Sequence, residues 1–373
     1  MLIFVAKIVK ILNSFPKNKH SVCIVSEQLA TGGAERCAAL LSIFLENHDY
    51  NVHHLIAIDK VEYPFSGKLF NMGLLKNNNS ILNKLFRFWK MYQFFQKNKF
   101  DFIIDSRVKR NYFQEFIITK LIYNAPLIVW VHSFMTHLYF PDNKLISRIL
   151  YSKSNIITVS NKIKSKIIND FGFNNIQTIY NPIYIETNIE NTLSKKYNFE
   201  YIVAVGSLKN NIKQFDVLLS CYKKSILPSK QIKLLILGDG KLLKYLKTIV
   251  SDLKLNDLVI FEGFQMDPIP FYENALYTVM TSKNEGFPMV LIESLASGTP
   301  VISFDCESGP SEIIQNEQNG LLVENQNQQK MIEAMNEMLE NQKLYLHCKA
   351  NSKQSVASFS LDKIGQSWLS ILK

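Results

Sequence analysis

The side chains best placed to do chemistry are two carboxylates in the stretch SKNEGFPMVLIESLASGTPVIS, residues 282–303. They are Glu285 and Glu293, with seven residues between them. Pro288 suits the first position of a helix, because its missing N–H needs no partner there. Gly298, with Pro300 just beyond, marks the stop. The residues between are apolar on nearly every side, so the pattern predicts a buried helix. A carboxylate inside such a helix is costly unless something hydrogen-bonds to it. Glu293 is therefore expected to meet a hydroxyl-rich ligand, with Glu285 in the loop before the helix. Gly286 and Phe287 lead into Pro288 and add the anion-friendly N–H groups of a helix start.

Two other loops carry polar groups that a fold alone does not demand. In TGGAER, Gly32 and Gly33 let backbone approach a ligand at the start of another helix. In GSLKNNIKQFD, Lys209 and Lys213 follow the first strand of the second half of the chain. A tight turn and a solvated loop are the ordinary explanations of these two. Taken with the carboxylates, the second half offers a lysine, a helix N-terminus and two acids. Diphosphate oxygens suit the first two, and sugar or ribose hydroxyls suit the acids. A nucleotide-sugar fits that inventory better than a free nucleotide.

These groups need elements to hold them. SVCIVS, then a Gly-rich turn, a helix over 34–47 and a strand over 52–58 begin an alternation that runs through the first half. YIVAVG restarts it, with a helix over 214–225 and the strand KLLILGDG. Strands alternating with helices predict parallel sheets covered on both faces. The expected architecture is α/β, two doubly wound Rossmann-like domains facing across a cleft, with ligands at the C-terminal strand ends. The boundaries read as residues 1–184, a polar linker over 185–199, a second domain over 200–357, and a helix over 358–373 that docks by one apolar face on the first domain.

Composition narrows the class. The 373 residues leave room for two domains, and 47% hydrophobic with 20% charged residues suits a globular chain. Five cysteines without a C-x-x-C pair read as reduced thiols, and seven histidines without ligand spacing predict no metal site. No apolar run reaches transmembrane length. The opening MLIFVAKIVKILNSF reads as a short amphipathic helix or a membrane-surface contact, and not as a signal peptide. The net charge of +10 sits in the first half: residues 1–200 hold 25 Lys/Arg against 14 Asp/Glu, residues 201–373 hold 17 against 18. Such asymmetry suits an anionic membrane face or nucleic acid. The basic, aromatic helix at 81–100 is either a core-facing helix with snorkelling lysines or a docking element. SRVKRNY at 106–112 is either a solvated turn or a contact to acceptor phosphate, and His53-His54 reads as a strand pair. A nicotinamide dehydrogenase lacks its G-x-G-x-x-G after the first strand, and no nucleic-acid module is present.

The spacing of Glu285 and Glu293, followed by SGTPVIS, resembles the E-x7-E signature of retaining family-four glycosyltransferases of the GT-B fold, the glycosyl transferases group 1. GGAER, VHS at 131–133, VSN at 159–161, IYNPI at 179–183, GDG at 238–240, FEGFQMDPIPFYENA at 261–275 and SGPSEII at 308–314 extend the resemblance over most of the chain. The resemblance implies that Glu293 binds the nucleotide ribose and that Glu285 lies beside the donor sugar. It places Lys213 on the diphosphate and the amides around Gly286–Phe287 on sugar and phosphate, with Pro288 among the donor-binding residues. It also sets Gly33 against the donor, His132 near the transferred sugar, and the backbone of Phe264, Gln265 and Met266 at the base edge. Where the family usually has an arginine, this chain has Ser207, and Lys209 or Lys213 is expected to compensate. The implied activity is metal-independent, retaining transfer of a hexose or N-acetylhexosamine from a UDP-linked donor to a glycan or lipid-linked acceptor of surface polysaccharide. No cofactor and no nucleic acid is expected, and the expected location is the cytoplasm, with peripheral contact to the inner membrane face. A nucleotide-sugar epimerase of the same two-domain shape, or an inactive nucleotide-sugar-binding relative, is the alternative.

Overall fold

The computed structural model describes residues 20–109, 111–184 and 197–373, and they form two parallel sheets. The first comprises β1 (Ser21–Ser26), β2 (Asn51–Ile56), β3 (Lys68–Asn71), β4 (Phe102–Asp105), β5 (Leu127–Val131), β6 (Asn155–Thr158) and β7 (Ile176–Thr178). Its spatial order is β3-β2-β1-β4-β5-β6-β7. Around it lie α1 (Gly33–Asn47), α2 (Ile81–Lys97), α3 (Tyr112–Ile117, continuing as a π turn to Ile122), α4 (Lys144–Tyr151) and α5 (Asn161–Phe171). The second sheet comprises β8 (Tyr201–Val205), β9 (Lys233–Leu237), β10 (Val259–Gly263), β11 (Thr278–Met280), β12 (Val301–Phe304) and β13 (Gly320–Val323), in the order β10-β9-β8-β11-β12-β13. Its helices are α6 (Phe215–Lys224), α7 (Leu243–Asp252), α8 (Ile269–Glu273), α9 (Met289–Ala296), α10 (Pro310–Ile313), α11 (Gln328–Glu340) and α12 (Gln342–Ser355); α13 (Leu361–Ile371) ends the chain.

The strands are unbroken apolar runs because both faces of each sheet are covered. Val22 to Val25 and Ile128 to Val131 are inaccessible to solvent, as are Leu234 to Ile236. β5 and β12 are the apolar runs LIVWV and VISF. β3, β7 and β13, each at an edge of its sheet, escape that reading. Both sheets reverse their strand order beside their first strand, between β1 and β4 and between β8 and β11. Such switch points open a crevice outside the C-terminal strand ends. The Gly32-Gly33 turn leaves β1, the Ser207–Lys213 loop leaves β8, and Glu285 follows β11.

The described residues group into two compact units, one reaching to Trp130 with Tyr139–Ile156 and Trp368–Lys373, the other holding Val131–Leu138 and Ile157–Ser367. The amphipathic lead-in helix and most of the polar linker lie outside the described residues. Within the first unit the Trp368 ring stands 4.8 Å from that of Trp130, and Tyr50 Oη donates to the Leu372 carbonyl at 2.9 Å. Both tryptophans are fully buried.

The stretch after β4 is not the solvated turn that its charges suggest. Asp105 is fully buried and Lys109 nearly so. Arg107 Nη2 and Lys109 Nζ each lie 2.7 Å from Asp105 Oδ2, Arg107 also reaches Glu115 at 3.3 Å, and Tyr123 Oη donates to Asp105 at 2.9 Å. Burial pushes the Asp105 carboxyl up, but Arg107 and Lys109 outweigh it and hold the pKa below the usual range. Two acids thus balance two bases inside the unit, and these cations are spent internally. Arg110 lies outside the described residues.

His53 and His54 sit on β2 as a strand pair. His54 is fully buried, and burial, with His53 beside it, lowers its pKa to about 4. The unfolded chain takes up that proton near pH 6.5, whereas the folded chain refuses it until about pH 4. Stability therefore falls as pH drops through that window, by about 2 kcal/mol between pH 6.5 and 5 for this one ring. Urea unfolding of the wild type and of His54→Gln at pH 7 and pH 5 should show the smaller pH penalty in the variant. Equal penalties would refute the assignment.

Candidate active site

The loops of the second unit converge on the start of α9. Glu293 is the fifth residue of that helix and is 6% exposed. Tyr272 Oη, itself buried on α8, donates to Glu293 Oε2 at 3.3 Å. The buried carboxylate predicted from the apolar pattern is present, with a hydroxyl donor beside it. Pro288 differs slightly from its expected place: it caps α9 in an extended conformation (φ −73°, ψ 101°), and Met289 is the first helical residue. A proline serves either position because neither needs its N–H.

Glu285, in the loop ahead, accepts from Lys213 Nζ at 2.5 Å. Both side chains are partly buried. The lysine is steered there by its neighbours. Gln214 adopts a left-handed backbone (φ 49°) to begin α6, and Thr281 Oγ1 donates to the carbonyls of Lys213 and Gln214 at 3.0 and 3.1 Å. Lys283 N donates to the Ile212 carbonyl at 2.8 Å, tying the two loops again. Gly206 leaves room for the lysine, whose Cγ lies 3.0 Å from where a Cβ would stand. Ser207 accepts from Lys209 N at 3.3 Å, and the Lys209 side chain is exposed. Lys213, and not Lys209, is the cation brought to the carboxylate.

Gly286 has no room for a side chain: a Cβ there would stand 1.9 Å from the His132 carbonyl oxygen. Ser308 Oγ donates to the Gly286 carbonyl at 2.8 Å and lies 2.7 Å from Ser160 Oγ. Phe287 is buried between Tyr180 at 4.9 Å and Phe359 at 5.3 Å, centroid to centroid. His132 is partly buried with both ring nitrogens shut off from solvent, and that desolvation lowers its pKa to about 3 and keeps the ring neutral. A neutral ring can orient or hydrogen-bond a ligand but supplies no positive charge at pH 7. Phe264, Gln265 and Met266 form the loop beyond Gly263, which takes a positive φ of 70°. The Phe264 and Met266 side chains are exposed, and Gln265 Nε2 donates to the Glu262 carbonyl at 2.8 Å.

Gly33 begins α1 in the first unit, where it is exposed. The Glu35 carboxylate folds over the preceding Gly32, so this helix start carries an acid of its own. Among the described residues no cluster of histidine, cysteine and acidic side chains could hold a metal ion. Tyr272 and Ser308 escaped the residue-by-residue reading. Each lies in a motif visible in the sequence, but a tyrosine or serine there is not distinguished from its neighbours until its partner is known.

Two family models match consecutive parts of the chain. The one described as Glycosyltransferase Family 4 covers residues 31–187, and the one described as Glycosyl transferases group 1 covers residues 186–355. A Campylobacter jejuni relative, N-acetylgalactosamine-N,N'-diacetylbacillosaminyl-diphospho-undecaprenol 4-alpha-N-acetylgalactosaminyltransferase, is 26% identical over 366 residues, covering 92% of this chain and 97% of its own. The amylovoran biosynthesis glycosyltransferase AmsD of Erwinia amylovora is 25% identical over 350 residues, covering 92% and 96%. Among solved structures, Anabaena HepE in complex with UDP-glucose superposes with a TM-score of 0.77 at 19% identity, covering 94% of this chain and 99% of that one. The superposition speaks for the fold, which is GT-B. The chain is a glycosyltransferase, built of a Glycosyltransferase Family 4 domain followed by a Glycosyl transferases group 1 domain.

Proposed function

We propose that this enzyme moves a hexose or N-acetylhexosamine from a UDP-linked donor to a glycan or lipid-linked acceptor of surface polysaccharide, with retention at the anomeric carbon. The observation that carries the reading is Glu293, a carboxylate buried in the apolar helix that follows the loop of the Lys213–Glu285 pair. The relatives support the acceptor class, since one is named for a diphospho-undecaprenol substrate and another for amylovoran biosynthesis. HepE, solved with UDP-glucose, supports the donor. An anionic membrane face is where a lipid-linked acceptor would be met, and the charge excess of the first half suits it.

In this reading Glu293 accepts hydrogen bonds from the ribose hydroxyls, and Glu285 lies at the sugar. Lys213 then exchanges its carboxylate partner for the leaving diphosphate, whose growing charge is also met by the N–H groups at the start of α9. The anomeric C–O bond to phosphate breaks as the acceptor oxygen bonds on the same face, and the departing phosphate oxygen takes the acceptor proton. Neither glutamate serves as the nucleophile of a covalent intermediate. His132, Gly286, Phe287 and Pro288 shape the sugar pocket, Ser207 and Lys209 border the diphosphate, and the Phe264–Met266 loop meets the base.

The positive charge is supplied by the protein, so activity should survive EDTA; abolition by chelator, restored by a divalent ion, would remove this part of the reading. A UDP-sugar at 100 times its Kd should add about 2.7 kcal/mol to stability. Glu293→Gln should keep the unliganded melting temperature within a few degrees yet lose most of that gain. A full response to UDP-glucose and UDP-N-acetylglucosamine in the variant would disprove the ribose contact. Lys213→Ala should lower kcat by about a hundredfold to a thousandfold, as losing a transition-state donor does. A kcat within threefold of wild type would exclude Lys213 from the leaving-group site.

A further inference from the structure

The outer face of α2 is unlike that of an ordinary surface helix. Its inner side buries Met91 and Phe95 against the first sheet. The opposite side should be polar, and instead carries Leu82, Leu85, Phe86 and Trp89, which are 79%, 59%, 41% and 50% exposed. These positions recur every three or four residues, so they form one outward stripe. Lys90 Nζ lies over it, 5.6 Å from the Phe86 ring centroid and 4.8 Å from that of Trp89.

The stripe does not stand alone. β3 to β4, β4 to β5 and β5 to β6 all advance in one direction along the sheet. Right-handed crossovers therefore place α2, α3 with its π turn, and α4 on the same face. Contacts join them in that order: the Phe95 and Tyr123 rings are 5.0 Å apart, and Lys120 Nζ donates to the Leu150 carbonyl at 2.9 Å. α4 also turns Leu145 and Ile149 outward, beside Lys144 and Arg148.

Charge selects the partner. Between Glu62 and Asp101 the sequence has seven Lys/Arg and no Asp or Glu. A second copy of this chain on that face would set cation against cation. An anionic bilayer supplies both missing complements, headgroup charge for the lysines and an interface for the apolar stripe. We infer that α2 docks the enzyme on anionic lipid by inserting Leu82, Leu85, Phe86 and Trp89 among the headgroups, with Lys90 and Lys97, which flank that stripe, on lipid phosphates. The inference stands apart from the donor site. Among the described residues no helix is long and apolar enough to cross a membrane, so this contact is interfacial.

The chain supplies its own probe. Of its three tryptophans, Trp130 and Trp368 are fully buried, so any emission shift on adding vesicles reports Trp89. The full chain should show a blue shift and co-sedimentation with mixed phosphatidylcholine and phosphatidylglycerol vesicles, both weakened by salt, and neither with phosphatidylcholine alone. Leu82→Ser/Leu85→Ser and Lys90→Glu/Lys97→Glu should each bind at least about tenfold more weakly, with the UDP-glucose thermal response unchanged. Equal binding to both vesicle types, wild-type binding by either variant, or a Trp89 blue shift on concentration-dependent dimerisation without lipid would each overturn it. Vesicle binding lost while the nucleotide response stands sinks this face alone. The reverse result sinks the donor reading alone.

Discussion

The structure is organised around a charge kept where charge does not belong. Glu293 is held on a helix whose other side chains are nearly all apolar, inside a unit whose sheet is covered on both faces. A buried ionised carboxylate is tolerated only with partners, and Tyr272 supplies one from inside the protein. A leucine at that position would pack without any such requirement. The neighbouring loops make sense as a surround for that carboxylate. Lys213 is led to Glu285 by a left-handed turn and two hydrogen bonds from Thr281, so the cation next to the helix start is set before any ligand arrives. Pre-set charge does not reorganise during a reaction, which is what makes it useful there.

Close backbone approach explains the glycines better than flexibility does. Gly286 leaves the His132 carbonyl no space for a side chain, and Ser308 anchors the same peptide from its other side. Gly238 is pressed as closely on the Gly206 carbonyl, and its φ of 143° is one that other residues rarely adopt. The strand ends of β8 and β9 are thereby stitched together beneath the loop that carries Lys213. The candidate site is a set of loops fixed by sterics at their bases, with the polar side chains left to project.

The first unit uses its positive charge in two ways that a sum cannot separate. Arg107 and Lys109 are consumed by Asp105 and Glu115 in a buried, neutral cluster. Lys90 and Lys97 stay at the surface, beside the outward Leu82, Phe86 and Trp89. The same residue types thus build the interior at one place and a polarised exterior at another. What differs is whether an acid lies within reach.

The sequence alone determined the α/β alternation, the two-sheet architecture, the helix over 289–296 and the burial of Glu293, because periodicity, proline and glycine report local backbone physics directly. It also ordered the motifs well enough to name the family. Tertiary structure decided which charges are free. Nothing local shows that Lys109 is buried or that Lys213, rather than Lys209, meets Glu285; those outcomes depend on acids and carbonyls delivered by distant strands. It likewise decided that Tyr272 and Ser308 belong to the site. It decided, too, that α2, read from its pattern as either a core-facing or a docking helix, buries one apolar side and exposes another. Burial is a property of what packs against a residue, and that partner lies far away in the chain.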